Sequence, residues 1–315
     1  MRDAFVKVLT ELAPSHPEII LLTGDLGFGV LNDFASRFPR QLVNVGVAEQ
    51  NMSGLAAGLA LEGRAVFTYS IGNFPTLRCL EQIRNDICYH NANVKVVSVG
   101  GGMSYGPVGM SHHATEDLAI LRSLPGMEVF APTDLWEAAE ATRHLIQSHG
   151  PAYLRLDKTA APATARVGER FQPGRIRLVR EGSDVTLVAT GGIAGEAIKA
   201  ADALAGQGVF CRVLSVCTVK PLDIETLVRA ATETGGIVSI EEHTVDGGLG
   251  GAIAESLMEA GVVPEFFVRV GLRNTFSSVV GSQRYLRGVY QMDAAAIMKT
   301  VLEKLSVKAE VPACN

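Results

Sequence analysis

The sequence lacks the features that mark secreted, membrane-spanning and nucleic-acid-binding proteins. Its five cysteines form no Cys-x-x-Cys pair, so we expect reduced thiols and neither a disulfide framework nor a zinc site. No apolar run approaches the ~20 residues of a membrane-spanning helix. With a formal net charge of −5 and no run of more than two basic residues, we expect neither a nucleic acid nor an anionic membrane as a partner. The cysteines are Cys79, Cys88, Cys211, Cys217 and Cys314.

We also expect neither a signal peptide nor low-complexity sequence. The opening MRDAFVKVLTEL has the pattern of an amphipathic helix, without the apolar segment and cleavage site of a signal peptide, so we expect a cytoplasmic protein. The 33 glycines follow no three-residue period, which excludes a collagen-like chain. Apolar residues make up 47% of the 315, enough for a sizeable core in two domains of ordinary size.

Short apolar and β-branched runs alternate with helical patterns along the chain. Strands that are apolar on both faces and alternate with helices indicate mostly parallel sheets covered on both sides. The runs of the first half are Ile19–Thr23, Leu42–Val45, Ala65–Tyr69, Val94–Val99, Met127–Ala131 and Ala152–Leu156, and those of the second half begin near Asp184, Phe210, Gly236 and Phe266. The sequence therefore predicts an α/β fold with two doubly wound, mostly parallel-sheet domains.

The alternation lapses in the middle of the chain. Lys158–Phe171 mixes alanine, threonine, proline and charged residues without a period. We therefore expect a first domain at residues 1–165, a linker at 166–182 and a second, smaller domain at 183–315.

Three segments that follow predicted strands carry candidate site residues, because ligands of open parallel sheets bind beyond the carboxyl ends of the strands. Asp25 lies in a glycine-rich turn after the first run, and Glu49 begins a helical pattern after the second. The irregular loop Gly100–Ala114 ends in His112 and His113, of which we expect one in the site and the other in support. The turn at Asp25 lacks the dinucleotide-binding spacing, and no phosphate-binding Gly-x-x-x-x-Gly-Lys motif occurs in the chain.

Glu49 is the candidate with the most unusual setting. A glutamate in the first turn of a helix is ordinarily favoured by the helix dipole alone. This one has Val47, Ala48 and Met52 as neighbours and precedes an almost wholly apolar helix. We therefore expect a desolvated carboxyl that can stay protonated and donate a hydrogen bond near neutral pH.

Four segments carry a family resemblance. They are VNVGVAEQNMSGLAAGLA, SHHATEDLAILRSLPGMEVFAPTDLWEA, TGGIAGEAIKAA and EEHTVDGGLGGAIAE. In this order they resemble the C-terminal half of transketolases, and most of all the stand-alone C-terminal subunits of split transketolases. The resemblance covers nearly the whole chain and implies a thiamine diphosphate pyrimidine-binding domain followed by a transketolase C-terminal domain. The implied reaction is the transfer of a two-carbon ketol unit between phosphorylated sugars.

The resemblance also implies a site that is shared with another chain. Family members hold Mg²⁺ and the diphosphate of the cofactor through a Gly-Asp-Gly…Asn motif, and no Gly-Asp-Gly occurs in these 315 residues. The metal and diphosphate ligands are therefore expected on an N-terminal transketolase subunit, with no metal ligands in this chain. We expect this chain to self-associate and to bind two such partners in an α₂β₂ particle.

The resemblance assigns roles to five residues. Glu49 matches the glutamate that hydrogen-bonds a ring nitrogen of the aminopyrimidine and so promotes loss of the thiazolium C2 proton. Asp25 matches an acidic residue that positions the cofactor, and Phe74 is the aromatic residue expected to stack on the pyrimidine. His112 matches a catalytic histidine near the substrate hydroxyls. Arg155 matches an arginine that contacts a sugar phosphate, a ligand that suits an always-charged guanidinium.

Several positions depart from the family pattern. Gly100 stands where a histidine is expected, Val108 where an aspartate is expected, and Gly29 where a serine helps to hold phosphate. Pro75 occupies an aromatic position of the pyrimidine cradle. The loss of these groups puts an ordinary pentose phosphate in doubt and favours a modified sugar, or a substrate held partly by the partner chain.

Two other functions stay open. A β-type subunit of a thiamine-dependent 2-oxoacid or acetoin dehydrogenase would share the fold and the glutamate, although RSLPGMEVFAPTD and the position of His112 favour a transketolase. A catalytically impaired regulatory subunit would explain the missing polar groups, but the intact Glu49 argues against it. A deoxyxylulose-phosphate synthase is less favoured, because those enzymes keep both halves on one chain.

Overall fold

Strands and helices alternate through the computed structural model, which describes residues 1–310, with side chains through Ser306. The strands are β1 Ile19–Thr23, β2 Leu42–Asn44, β3 Ala65–Ile71, β4 Val94–Val99, β5 Glu128–Phe130, β6 Ala152–Leu156, β7 Arg177–Arg180, β8 Val185–Thr190, β9 Cys211–Ser215, β10 Thr218–Lys220, β11 Ile237–Thr244 and β12 Phe267–Leu272. The helices are α1 Arg2–Leu12, α2 Asn32–Arg37, α3 Glu49–Leu61, α4 Leu80–Gln82, α5 Asp117–Arg122, α6 Leu135–Gln147, α7 Ala194–Ala205, α8 Ile224–Glu233, α9 Leu249–Glu259, α10 Gln283–Val289 and α11 Ala294–Glu310.

The first sheet has seven strands in the order β10-β5-β6-β4-β3-β1-β2. Its strands pair in parallel, except that β10 runs antiparallel to β5. Every residue of β1, β4 and β6 is buried, as befits strands covered by helices on both faces. Because the strands are parallel, the carboxyl ends of β6, β4, β3, β1 and β2 lie side by side along one edge.

The second sheet has five strands in the order β12-β11-β8-β9-β7, all parallel except β7. Helices connect its parallel strands, as in the first sheet. Two mostly parallel sheets with interleaved helices confirm the predicted α/β fold class.

The sequence does not predict two of the strands. Arg177–Arg180 lies in the segment 166–182 that we expect to be a linker, yet it forms β7 at the edge of the second sheet, antiparallel to β9. Thr218–Lys220 belongs by position to the second half, yet it forms β10 and pairs with β5 of the first sheet. Both strands are short and carry charged residues, so neither has the long apolar run by which the other strands are recognised.

One buried apolar cluster joins the two halves of the chain. It combines side chains of the first sheet, such as Val96 and Val129, with Val216, Leu227 and Ile253 of the second half. Hydrophobic burial therefore holds the halves together, and polar contacts across the junction act on an already packed interface.

Helix α6 begins with a side-chain cap. Asp134 accepts a hydrogen bond from the backbone N–H of Glu137 at 2.8 Å. The Glu137 carboxylate accepts from the backbone N–H of Thr133 at 2.8 Å and from Arg177 of β7 at 2.9 Å. Arg177 also contacts Asp134 at 2.7 Å, so the start of α6 fixes the strand that the sequence does not predict.

Two findings bear on the classes of protein considered from composition. Among the described residues, no helix combines the length and the apolar character needed to cross a membrane. Cys79, Cys88, Cys211 and Cys217 are free thiols, and Cys314 lies outside the described residues.

Candidate active site

Five adjacent strands of the first sheet deliver candidate site residues to one edge. In the spatial order of the strands, Lys158 follows β6, the loop Gly100–Ala114 follows β4, Phe74 follows β3, Asp25 follows β1 and Glu49 follows β2. The position beyond the carboxyl ends of parallel strands is where open α/β sheets bind ligands. The topology thus brings together segments that are up to 133 positions apart in sequence, counted from Asp25 to Lys158.

Glu49 is the first residue of α3 and only 2% exposed. Its burial agrees with the expected desolvation, and the structure adds a charged neighbour that the sequence does not reveal. The guanidinium of Arg78 donates a hydrogen bond to Glu49 Oε2 at 2.8 Å, so the carboxylate has a counter-ion. On its other side lies Gly24, where a Cβ would come within 3.6 Å of both Cγ and Oε1 of Glu49. Gly24 therefore lies in contact with the carboxyl and places no side chain against it.

Asp25 is tied to the end of the neighbouring strand. Its backbone N–H donates to Asn44 Oδ1 at 2.9 Å, and Asn44 Nδ2 donates to Asp25 Oδ1 at 3.1 Å. Asp25 has φ +58°, a left-handed backbone conformation that side-chain-bearing residues adopt at a cost. The exposed carboxylate is therefore held in a fixed direction at the edge, next to Gly46, whose N–H also bonds Asn44 Oδ1 at 3.0 Å.

Phe74 and His112 lie in contact beyond β3 and β4. Their ring centroids are 5.2 Å apart in an edge-on arrangement. Arg78, the partner of Glu49, also sits over the Phe74 ring at 4.6 Å from its centroid. An unbroken series of contacts thus runs from the Glu49 carboxylate through Arg78 and Phe74 to the His112 imidazole.

The loop after β4 occupies the space beside Gly100, where the resemblance leads one to expect a histidine. Gly100 has φ +94°, and a Cβ there would overlap the Tyr105 ring. Tyr105 therefore occupies the space that a side chain at position 100 would need. The Lys158 ammonium stands over the Tyr105 ring, 4.4 Å from its centroid, and the His112 ring is 6.2 Å away from the same ring.

The two adjacent histidines have different surroundings. His112 is partly exposed, and its Nδ1 is 3.0 Å from Ser111 Oγ. His113 is only 2% exposed, and burial lowers the pKa of its imidazole. His113 therefore favours the neutral form and faces the protein interior, whereas His112 faces the site.

Arg155 does not lie in the site, which contradicts its expected contact with a sugar phosphate. The side chain is 1% exposed because Arg155 is inside strand β6. Its Nε is 3.2 Å from Asp117 Oδ2, and its Nη2 donates to the backbone oxygens of Ala114 and Glu242 at 2.9 and 2.8 Å. Burial alone would lower the pKa of Arg155, but the neighbouring carboxylates, Asp117 foremost, raise it above its ordinary value. The charged Arg155 guanidinium therefore bonds residues of both halves of the chain.

The chemistry of this edge fits the pyrimidine end of thiamine diphosphate. A buried carboxyl can bond a ring nitrogen, and Phe74 carries an aromatic face over which Arg78 lies. Within residues 1–310, no group of three or more His, Cys, Asp and Glu side chains is arranged to hold a metal ion. The carboxyl and the aromatic ring fit the organic ring of the cofactor.

Sequence reasoning missed three residues of this edge: Arg78, Tyr105 and Lys158. Arg78 reaches Glu49 across 29 positions of sequence, which no local pattern reveals. Lys158 could have been found, because it is the first basic residue beyond the end of β6 and ligands bind beyond strand ends. Arg155, three residues earlier, is still within the strand.

Comparison with known proteins identifies relatives over the whole chain. The transketolase pyrimidine-binding domain family matches residues 1–164, and the transketolase C-terminal domain family matches residues 174–297. The chain is 38% identical over 304 residues to the 6-deoxy-6-sulfo-D-fructose transketolase subunit of Clostridium sp. (strain MSTE9), a match that covers 96% of this chain and 94% of the relative. It is 36% identical to a subunit of the apulose-4-phosphate transketolase of Phocaeicola vulgatus, with 96% of each chain covered.

A solved structure has the same fold. It is a split-gene transketolase described as an inactive beta4 tetramer, with a TM-score of 0.88 and 38% identity to this chain. The match covers 97% of this chain and 98% of that chain. Sequence and structure therefore agree on the same group of relatives.

Proposed function

Because the chain belongs to the transketolase family, we propose that it is the pyrimidine-binding subunit of a two-chain transketolase, active only with a partner that carries the diphosphate and Mg²⁺ ligands. The observation that carries this proposal is the buried Glu49 carboxyl, which lies in contact with Gly24 at the carboxyl edge of the first sheet. Close relatives are named as transketolase subunits, which favours this function over a 2-oxoacid dehydrogenase subunit.

The roles of the chain's own residues follow from their places at the sheet edge. Thiamine diphosphate, when bound, supplies a carbon nucleophile that accepts the two-carbon unit. Glu49 holds or exchanges a proton at Oε1, since Arg78 is bonded to Oε2. Phe74 stacks on the pyrimidine, Asp25 fixes the turn beside it, and His112 hydrogen-bonds a substrate hydroxyl.

We propose that the substrates are ketoses with an anionic terminal group. Two relatives are named for a sulfonated fructose and for apulose 4-phosphate, and both sugars carry an anion. Lys158, just after β6 and over the Tyr105 ring, is the cation on the His112 side of the edge that we assign to such a group. Arg155 is buried and cannot.

The partner chain would cover the surface around Glu49. Phe28 lies in the turn after β1, Val43 in β2 and Val47 between β2 and Glu49, and these side chains are 78%, 39% and 75% exposed. Apolar side chains exposed together beside an incomplete site are typical of a surface that another chain covers. An α₂β₂ particle with Mg²⁺ on the partner, and a cytoplasmic location, are parts of the same proposal.

The test combines the purified chain with the purified N-terminal transketolase subunit from the same organism. We expect ketol transfer and Mg²⁺-dependent binding of thiamine diphosphate from the mixture, and neither from this chain alone. Tight, Mg²⁺-dependent binding by the single chain in a calorimeter would contradict the proposal. Reduction of a lipoyl domain by the mixture, without ketol transfer to any sugar, would favour the dehydrogenase instead.

A further inference from the structure

The loop that carries Tyr105 and His112 is fastened to the second domain by buried polar side chains. The backbone N–H of Met103 donates to Glu242 Oε1 at 2.6 Å. Gln283 Nε2 donates to the same oxygen at 2.8 Å and to Ser104 Oγ at 3.2 Å. Glu242 is 2% exposed and Gln283 is 8% exposed, so water does not replace these bonds. Residues of β11 and of α10 therefore hold the start of a loop that belongs to the first domain.

The same side chains also hold the segment that carries Lys158. Thr159 Oγ1 donates to Gln283 Oε1 at 3.0 Å. The backbone N–H of Lys158 contacts Ser104 Oγ at 3.4 Å, the hydroxyl to which Gln283 donates. Both amide atoms of Gln283 are thus engaged, one with the loop after β4 and the other with the segment after β6.

A third side chain completes the arrangement. Arg287 Nε donates to Glu242 Oε2, and its Nη2 donates to Thr159 Oγ1 at 3.4 Å. We call Glu242, Gln283 and Arg287 the loop clamp.

Backbone contacts show that the clamp and the loop fit closely. A Cβ on Gly106 would overlap the backbone oxygen of Gly281 and come within 2.6 Å of Leu286, so only glycine allows this approach. At the other end of the loop, Ala114 bridges to Gly102 and accepts a hydrogen bond from Arg155 at 2.9 Å. The loop is held at both ends and in the middle, while its tip is exposed.

The polar character of the clamp points to positioning and not to stability. A buried ion pair contributes little net stability, because desolvation of the charges offsets their attraction, and an apolar pair of equal volume would hold the domains as well. Glu242 and Gln283 fix the positions of their partners, because a hydrogen bond forms only at a suitable distance and angle. The buried apolar cluster that the two halves share already holds the halves together.

We propose that the loop clamp positions the substrate side of the active site, and that the second domain thereby takes part in substrate recognition. This inference rests on the proposed function. The clamp sets the distance between Tyr105 and Lys158, which lie on two separately anchored segments. The hydrogen bonds of Glu242, Gln283 and Arg287 run to the loop and to the Lys158 segment, whereas Glu49 is bonded by Arg78. No hydrogen bond of the clamp thus reaches Glu49, so the clamp should affect the substrate side more than the carboxyl.

The main test uses Gln283→Ala, which removes both connections without changing a charge. The matched control is Glu255→Ala, because Glu255 forms another ion pair across the domain junction, with Arg122 at 2.6 Å, but lies on α9, away from the loop and Lys158. Glu242→Gln is the second clamp variant, since an amide cannot accept from both Met103 and Arg287. Hydrogen exchange of backbone amides 101–114 is measured in the full chain, which needs no partner.

In the chain assembled with its partner, KM and kcat are measured for an anionic sugar together with exchange of the cofactor C2 proton. We expect Gln283→Ala to speed amide exchange in the loop and to raise KM about tenfold, with C2 proton exchange unchanged. Glu255→Ala should change neither the loop nor KM. Unchanged amide exchange in both clamp variants, or an equal effect of Glu255→Ala, would overturn the proposal.

The amide-exchange measurement separates this inference from the proposed function. If the assembled complex transfers no ketol unit to any sugar, the proposed function fails and the loop measurement still decides whether the clamp holds the loop. If ketol transfer is observed, a faster-exchanging loop with an unchanged KM would overturn the role in substrate recognition.

Discussion

The two carboxyl oxygens of Glu49 have different neighbours. Oε2 is paired with Arg78 at 2.8 Å. Oε1 faces Gly24, which has no side chain. Because the Arg78 side chain is 46% exposed and reaches in from outside, it is the partner that can withdraw when a ligand arrives.

Replacement of Glu49 by Gln should slow exchange of the cofactor C2 proton by a factor of roughly 10²–10⁴ in the assembled complex, because the amide keeps the shape but cannot exchange a proton. The measurement is hydrogen–deuterium exchange at C2 with the cofactor fully bound. Glu225→Gln is the control, since Glu225 is also in a first helical turn but is far along the chain in α8. A helix-dipole role alone would cost less than about 1 kcal/mol of stability and leave the exchange rate normal.

Replacement of Lys158 by Met should raise KM for a phosphorylated or sulfonated sugar about tenfold or more, with a small change in kcat, because a binding contact common to ground and transition states is lost. Lys199→Met, on an exposed face of the second domain, is the control. Equal effects on anionic and uncharged sugars would show that Lys158 does not bind the anion.

Arg155 and Lys158 show that the burial of a single basic side chain cannot be predicted from the sequence around it. Both are basic and close to the end of the same strand, and arginine is ordinarily an exposed residue. The burial of Arg155 follows from Asp117 and from the backbone of Glu242, which lie 38 and 87 positions away in sequence. The burial of Glu49, in contrast, could be predicted because its apolar neighbours are adjacent in sequence.

At the scale of elements, the buried parallel strands were predictable because each is a continuous apolar run. The helix expected at Glu49–Leu61 has the same limits in the structure. Strands β7 and β10 were not predictable, because their pairing partners lie in other parts of the chain and three or four residues give no period. The domain limits at 165 and 183 stay a prediction, although β7 lies between them.

Strand β4 contains a buried lysine whose charge the fold disfavours. Lys95 is fully buried, and its Nζ donates to the backbone oxygen of Gly150 at 2.6 Å. Burial lowers the pKa of Lys95 to about 8 from the ordinary 10.5. Between these two values the unfolded chain binds the proton and the folded chain does not, so the free energy of unfolding rises with pH through this window.

Lys95→Met should remove this pH dependence. Relative to the Met variant, the unmodified chain should gain about 3 kcal/mol of unfolding free energy between pH 7.5 and 10.5, the equivalent of the shift in pKa. Urea unfolding of both chains at several pH values measures the difference, in which contributions of cysteines and tyrosines cancel. Parallel curves for the two chains would show that Lys95 is not the group that titrates.

For the whole molecule, the proposed assembly places the edge around Glu49 at the interface. The exposed Phe28 and Val47 would then be covered by the partner chain. The mixture with the N-terminal subunit should therefore sediment as an α₂β₂ particle.

Phe28→Ser with Val47→Ser should weaken assembly about tenfold or more, since each buried apolar side chain contributes about 1.5–3 kcal/mol. Val263→Ser, which removes an exposed apolar group of the second half, is the control. An unchanged sedimentation profile of the double variant would contradict this assignment of the interface.

Strand β10 has a consequence for synthesis on the ribosome. The first sheet needs Thr218–Lys220 as its edge, so the N-terminal half cannot complete its hydrogen-bond ladder until about 220 residues have left the exit tunnel. Until then β5 presents unpaired backbone groups, the kind of edge on which nascent chains of one polysome pair with each other. For the same reason, a recombinant fragment that stops at residue 165 would be prone to aggregate. A truncation designed to isolate the first domain therefore has to retain the chain through β10.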